Sequence, residues 1–532
     1  MEQKNFLLAM ALIIGFLLLW STFVVPRFAP PPAPLPAGQA GAPAVQNVVT
    51  AVESPGTMAA TPAEMKSALA EVGETVVPPD SILHDENNEI VFSPKGGAVR
   101  DWRINSKGEE VDLVLNPEAE TLPLASFPDA VFKITPGDRR AVMETTLANG
   151  LRVTKILTLG SSGYLNRLSF RFQNPTSHAI ELSNWEWGWG PGLGTAASEL
   201  KENTRNIRAI TLGKLKVHVI KEADQPEFGR WAAIDNRYFL VAFIPKQPHA
   251  IDLGVTGSKT QTRIRLIEST TIPAKGEATL EYELYVGPKG FTQLKKYGLG
   301  LEESVDFGYF SSLGRLVLDA LYYLKAVTGN YGVAIIILTI VIQILMAPLT
   351  IKSFKATLAM KKLQPKIAEI QARFKGDPKR LNIEMMNVYK STGTNPFGGC
   401  LPMLLQLPIF WALFTTLRNA YELRGEPFVG WIRDLSTPDV LFHAGGVPVH
   451  ALPLVMGGAM YFQQKMSGAA SDPTQKQMML MMPIMFTFMF YGFPSGLVLY
   501  WLTNNLMTMA FQWSFQRFSK SPSGVIETTI VK

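Results

Sequence analysis

The side chains with the most chemical potential in this chain are neutral, and they interrupt apolar sequence. Thr339 and Gln343 stand four residues apart inside the apolar run 331–349. Gln406 lies within 401–417, and Trp501, Thr503, Asn504 and Asn505 lie within 497–511. Amides and hydroxyls at membrane depth cost free energy unless they face a partner or a wet cavity. A single such residue often just bonds the next helix. A set spread over three segments reads better as a shared polar groove. Trp501 and Asn505 fall on one helical face at i,i+4 spacing. The chemistry on offer is solvation and hydrogen bonding of another polar chain, without bond making.

A second group is charged. Between Lys352 and Lys390 there are ten Lys/Arg against Glu369, Asp377 and Glu384. Lys355, Lys361, Lys362, Lys366, Arg373, Lys379 and Arg380 are the candidate docking surface here. The segment has helical periodicity, with Lys355–Lys375 as one helix ended by Gly376. Asp377-Pro378 opens the next as N-cap and first-turn proline, and that helix runs to about Ser391. The spacing predicts an antiparallel helical hairpin rather than a simple basic loop.

These groups need apolar elements to hold them. Core spans are expected at about 331–351, 399–420, 448–466, 478–491 and 495–515. A further apolar run, Phe6–Val25, is 20 residues long and matches a hydrocarbon core of about 30 Å. It is longer than a usual signal-peptide core and ends in Pro26-Arg27, so residues 1–26 read as an uncleaved anchor. Residues 27–75 are dominated by Pro, Ala and Gly, the composition of a tether. From 76 to 300 the period becomes two: Leu168, Phe170 and Phe172 alternate with Arg167, Ser169 and Arg171. Leu280, Tyr282, Leu284 and Val286 likewise alternate with Glu281, Glu283 and Tyr285. Asn149-Gly150 signals a hairpin turn, and Tyr238–Ile244 reads as a strand buried on both faces. Residues 307–327 form an amphipathic, interfacial helix, with Leu313, Leu316, Leu321 and Leu324 on one side.

The basic hairpin, 352–395, belongs in the cytoplasm because positive loops stay inside. Both termini are then cytoplasmic and the sandwich is exported. The fold class expected is an α+β multidomain membrane protein: an N-terminal transmembrane anchor, a periplasmic antiparallel β-sandwich, and a five-helix core over 301–532 carrying a cytoplasmic helical hairpin. Cys400 is the sole cysteine, which excludes an intrachain disulfide and multi-thiolate metal sites. The six histidines at 84, 178, 218, 249, 443 and 450 show no metal spacing. No cofactor, metal or sequence-specific nucleic-acid binding is called for.

The motifs "MAPLTIKSF" at 346–354, "LQPKI" at 363–367, "NPFGGCLPMLLQLPIFWALF" at 395–414, "FVGWIRDLS" at 428–436 and "FPSGLVLYWLTNN" at 493–505 run through the whole core in order. In these the chain resembles the YidC/Oxa/Alb family of membrane insertases, in its Gram-negative form. The resemblance implies a galactose-mutarotase-like sandwich and insertion of nascent inner-membrane proteins, alone or with the SecYEG/SecDF translocon. The ribosome and the signal recognition particle receptor become candidate partners, beside membrane lipids. Thr339, Gln406 and the Tyr500-Trp501 region match groove positions of the family. Many bacterial members carry an arginine where this chain has Gln343, so a fixed cation is missing from that position.

Three other readings compete. The Trp185-Glu186-Trp187 stretch suggests a sugar site, but alternating aromatics are usually core, and no paired carboxylates or phosphate loop support an enzyme. A small-solute transporter would often show an internal repeat, and none is visible. An envelope scaffold acting through the sandwich alone would leave the polar groups of the core unexplained.

Overall fold

The computed structural model describes residues 81–518, apart from 162, 204–205, 215, 223–226, 375, 394–400 and 468–472. The expected anchor (1–26) and tether (27–75) lie outside the described residues. The strands run in chain order: β1 (Ser81–His84), β2 (Asn88–Ser93), β3 (Ala98–Ser106), β4 (Glu109–Asp112), β5 (Lys133–Gly137), β6 (Arg140–Thr146), β7 (Arg152–Thr158), β8 (Leu165–Gln173), β9 (Ile180–Trp189), β10 (Arg208–Leu212), β11 (Val217–Ile220), β12 (Ala232–Asp235), β13 (Phe239–Pro245), β14 (Asp252–Thr256), β15 (Arg263–Ile272) and β16 (Glu277–Pro288). They form a four-stranded sheet β1-β2-β3-β4, a nine-stranded sheet β11-β10-β12-β13-β16-β8-β7-β6-β5 and a three-stranded sheet β14-β15-β9. Every pairing among them is antiparallel.

Alternation explains the core between the sheets. Leu168, Phe170 and Phe172 point inward from β8, while Arg171 turns out to pair with Glu277 at 2.6 Å. Trp185, Trp187 and Trp189 take the inner face of β9, and Trp187 packs edge-on against Phe243 and Tyr282. The Trp-Glu-Trp stretch is therefore packing, with Glu186 turned out to Arg265. Asn149-Gly150 makes the β6–β7 turn, its Asn149 Oδ1 accepting from Leu151 N at 3.1 Å.

The nine-stranded sheet has a second covered face. Phe239, Val241 and Phe243 of β13 join the inter-sheet core, whereas Leu240, Ala242 and Ile244 join a separate apolar cluster shared with helices. Burying each large side chain contributes about 1.5–3 kcal/mol, so the continuous apolar run is what two-sided burial demands. On β16 Tyr285 takes the face opposite Tyr282, Leu284 and Val286, as the alternation has it, and it is fully buried there. The face it points to is covered, with Tyr297 at 5.6 Å and Tyr164 at 6.4 Å between ring centroids.

The helices are α1 (Phe291–Lys296), α2 (Ser311–Thr328), α3 (Tyr331–Arg373), α4 (Pro378–Ser391), α5 (Leu401–Asn419), α6 (Ala451–Ser467), α7 (Pro473–Phe490) and α8 (Ser495–Phe518), with a small hairpin β17 (Phe442–Ala444) and β18 (Val447–Val449) before α6. In α2 the buried stripe is Gly314, Val317, Leu318 and Leu321, while Leu316 is exposed. The stripe is set by packing against α3 and α5; of the expected side, Leu321 is buried and Leu313 and Leu324 half-buried, so only Leu316 departs from it. Gly457 lets α6 lie close to α7, since a Cβ there would collide with Thr487 Oγ1; small residues serve this purpose between membrane helices.

The first core span and the first hairpin helix are one helix of 43 residues, not two. Pro348 and Pro365 lie inside it, and neither stops it. By length and composition, Tyr331–Met360 is the one helix among the described residues that qualifies to cross a membrane; the apolar stretch Met481–Phe490 is shorter. The second hairpin helix begins as expected, with Asp377 accepting from Arg380 N at 3.0 Å and Pro378 following.

The sandwich and helices are stitched where α5 ends. Lys107 Nζ donates to the carbonyls of Glu422 (2.8 Å) and Arg424 (2.7 Å), and Ser106 Oγ shares a 2.6 Å hydrogen bond with Tyr421 OH. Arg424, its side chain 4% exposed, donates to Glu199 at 2.5 Å and Glu109 at 2.6 Å. Arg237 Nε donates to the Arg418 carbonyl at 2.7 Å. Removing one member of a buried pair strands the others, at about 3–5 kcal/mol. Arg424→Ala is therefore expected to lower the thermal midpoint of the full chain and to raise amide exchange in 418–426. Unchanged exchange there would show that the ion pairs do not hold the two parts together.

A polar node sits at the bulge of β15. Glu268 accepts from Trp187 Nε1 at 2.7 Å and from Tyr282 OH at 2.6 Å, and His249 Nε2 lies 3.1 Å from it. The hydrogen bond to Glu268 raises the His249 pKa above its ordinary 6.5, against burial, which acts to lower it. A raised imidazole stabilises the fold fully below 6.5, and the contribution disappears as pH climbs through the raised value. Lys155, pushed down to about 7 by burial, slopes the other way, since the folded state sheds its proton before the unfolded one. The readout is thus a difference: His249→Gln should lose stability relative to the parent below 6.5, with the gap closing towards alkaline pH. A gap that stays constant with pH would show that His249 is not charged in the folded state.

Candidate functional site

The site is built on three helices that pack together, α3, α5 and α8. Gln343 on α3 donates through Nε2 to Asn504 Oδ1 on α8. Gln406 on α5 donates to Tyr500 OH at 2.8 Å and reaches Asn504 Oδ1 at 3.5 Å. Tyr500 and Asn504 are one turn apart, so both meet the same partner. Asn504 is the common acceptor, and it joins the three helices. No charged side chain takes part. Gln343 is buried, whereas Gln406 and Asn504 keep partial exposure, so the cluster retains an accessible edge.

The remaining expected groove residues behave differently. Thr339 Oγ1 donates to the Ile335 carbonyl at 2.6 Å, and Thr503 Oγ1 to Leu499 at 2.8 Å. Both hydroxyls are buried and satisfied within their own helices. Asn505 is buried, and its Nδ2 has no partner among the described residues. Trp501 does not share a polar surface with Asn505. Its ring stands in an aromatic stack with Phe410 (5.0 Å), Phe490 (5.2 Å) and Phe486 (5.8 Å). The area of the indole outweighs its single N–H in choosing this place. The polar set thus divides into a hydrogen-bonded amide cluster, two self-satisfied threonines, and an aromatic plug beside them. Asn504 as hub was not legible from residue types, although its i+4 relation to Tyr500 was a usable signal.

In the hairpin, Lys355, Lys362, Lys366 and Arg373 on α3 and Lys379 and Arg380 on α4 are exposed; Lys361 lies on α3. Ile367 and Val388 are the buried apolar residues of the two arms. The arrangement presents cations outward from a packed seam. On α7, Met481 and Met485 are exposed, as side chains facing lipid would be. Among the described residues, no cluster of His, Cys, Asp and Glu could hold a metal ion.

Amides turned inward in a bundle whose outer side chains are apolar define a membrane protein by class. Family models agree on both halves: one described as YidC periplasmic domain matches residues 121–319, and one described as 60Kd inner membrane protein matches 323–522. A membrane protein insertase YidC from Endomicrobium trichonymphae is 43% identical over 443 residues, covering 81% of this chain and 84% of its own. A protein of the same name from Syntrophus aciditrophicus (strain SB) is 33% identical over 554 residues, covering 96% and 99%. A crystal structure described as an active YidC insertase with the first transmembrane domain resolved aligns at 19% identity over 84% of this chain and 97% of that one, with a TM-score of 0.38. The chain belongs to the YidC family of membrane protein insertases.

The hub can be tested apart from function. Asn504→Leu leaves the buried Gln343 amide without its acceptor, at about 1–3 kcal/mol, while Gln406 keeps its bond to Tyr500. Adding Gln343→Leu should recover part of that loss, because removing both partners costs less than removing one. Thermal unfolding of the full chain in detergent reads both variants. Equal midpoints for the parent and Asn504→Leu would show that the cluster holds nothing together.

Proposed function

We propose that this protein inserts and folds nascent inner-membrane proteins by receiving their polar stretches at the amide cluster of Gln343, Gln406, Tyr500 and Asn504. The observation that carries the reading is a neutral hydrogen-bonding site joining three helices of an apolar bundle. A charged group at the bilayer centre costs about 2.5–3.5 kcal/mol on insertion scales. Side-chain amides that already bond one another can exchange those bonds for a passing chain at little net cost, because a hydrogen bond traded for another changes little. With Gln343 where many relatives carry arginine, the site solvates without long-range attraction. Thr339, Thr503, Asn505 and the Trp501 stack then wall the path and keep it narrow.

The same reading includes six spans, counting residues 1–26 as an anchor and 27–75 as its linker. The sandwich (76–300) is periplasmic, and the core (301–532) carries a cytoplasmic hairpin (352–395) with both termini inside. The charge bias of 352–390 supports that orientation. The exposed lysines and arginines of the hairpin draw acidic segments of a substrate or ribosome, and the SecYEG/SecDF translocon and the signal recognition particle receptor are partners.

Photocrosslinkers at Gln343, Gln406 and Asn504 during translation of a short membrane protein should give substrate adducts, with none at Met485 on the exposed side of α7. Adducts confined to Met485 would move the path elsewhere. In depleted cells Gln343→Leu should reduce insertion; normal insertion would remove Gln343 from the site.

A further inference from the structure

The loop joining α5 to α6 exposes a patch that the polar cluster does not explain. Val429, Trp431, Val440, Leu441, Phe442 and Val447 are all exposed, Phe442 at 53% and Val447 at 62%. The hairpin β17–β18 pairs Phe442 with Val449 and Ala444 with Val447 across Gly445-Gly446, both with positive φ, the backbone of a tight hairpin turn. All three residues of β17 are exposed, as is Val447 of β18, while Pro448 and Val449 are half-buried at its base. A two-stranded hairpin is marginal in water by itself. From Val440 to Val449 the sequence has no Asp, Glu, Lys or Arg.

The base of this hairpin is fixed against the ends of two helices. Tyr491 OH donates to the Pro448 carbonyl at 3.1 Å, and its ring lies 4.5 Å from that of His450. Asp439 accepts from Trp431 Nε1 at 2.8 Å and from Leu452 N at 2.9 Å, which joins the loop to the first turn of α6. One turn before Tyr491 stands Phe488, and Leu454 and Val455 stand in the first turns of α6; all three are exposed. The uncovered apolar surface of α6 and α7 therefore continues into the hairpin.

We infer that the hairpin is an interfacial anchor, seated in the lipid headgroup layer at the end of the bundle where α6 begins. Two constraints fix the depth. The apolar side chains seek removal from water, but a two-stranded hairpin has unpaired backbone groups at both edges, and lipid-exposed open edges are not tolerated in hydrocarbon. The headgroup layer satisfies both. Trp431, with its N–H bonded and its ring outward, is the residue type of that layer. This inference needs an inner-membrane protein of this family and nothing from the insertase reading.

The test uses the full chain with Cys400→Ser and Phe442→Cys, labelled with a small environment-sensitive fluorophore, in phosphatidylethanolamine and phosphatidylglycerol vesicles. Ile82→Cys on exposed β1 serves as the aqueous reference, and Val447→Cys replaces Phe442→Cys if that variant misfolds. Iodide on both sides of the vesicle should quench the hairpin label several-fold less than the reference. Nitroxide on lipid headgroups should quench it more than nitroxide deep in the acyl chains. Iodide quenching equal to the reference would place the hairpin in water and overturn the inference. Stronger quenching by the deep nitroxide would overturn the depth, and protection from iodide and both nitroxides would mean that protein, not lipid, covers the patch.

Discussion

The structure depends on a sheet that must be buried twice. Strand β13 gives Phe239, Val241 and Phe243 to one core and Leu240, Ala242 and Ile244 to another. The second core cannot close without the helices, because Phe291, Leu318, Leu417 and Leu497 complete it. The sandwich is thus a foundation for the helical part, not a bead on a string. Once that apolar contact exists, the polar seam at its margin becomes obligatory. Arg237 and Arg424 are brought under cover while Lys107 stays at the exposed edge, and a covered cation must be paired or bonded to carbonyls. Partial desolvation lowers the Lys107 pKa despite the nearby carboxylates of Glu426 and Glu422.

Inside the bundle the same accounting runs with neutral groups. Thr339 and Thr503 solve their burial locally by bonding the carbonyl four residues back, which binds no other helix. Gln343 and Gln406 have longer side chains and two donors each, so they reach across to α8. A carboxylate or ammonium here would require a partner charge that none of the three helices offers between 331–351, 401–417 and 495–516. Neutral amides are the strongest hydrogen-bonding groups these positions can hold without one.

Much of this was legible in the sequence, and the exceptions have physical causes. Period-two alternation placed the inner faces of β8 and β9, and the continuous apolar run around Phe239 announced two-sided burial. Asp377-Pro378 marked the start of α4 because both residues act locally. Alternation put Tyr285 on the correct face of β16, but not its full burial, which depends on Tyr297 and Tyr164. The aromatic stack around Trp501 was not legible either, because its partners Phe410, Phe486 and Phe490 come from two other helices. On α2 only Leu316 departs from the expected side: Gly314, beside Phe307 and Thr416, and Val317 take the buried positions while Leu316 is left outside. Local signals read well, and choices settled by partners distant in sequence did not.

The continuity of α3 changes how the two candidate surfaces relate. A helix rises 1.5 Å per residue, so Gln343 and Lys355 are about 18 Å apart along a single rod, and the cations continue from there to Arg373. The polar cluster and the basic hairpin share one element, with no loop between them to absorb a displacement. Two prolines interrupt the ladder of the rod: Pro365 lies within the hairpin arm, and Pro348 has no N–H for the Ile344 carbonyl and so removes one rung. That position lies between the cluster and the first hairpin lysines. Pro348 thus stands within two turns of Gln343, and the missing rung separates the polar cluster from the cations of the hairpin.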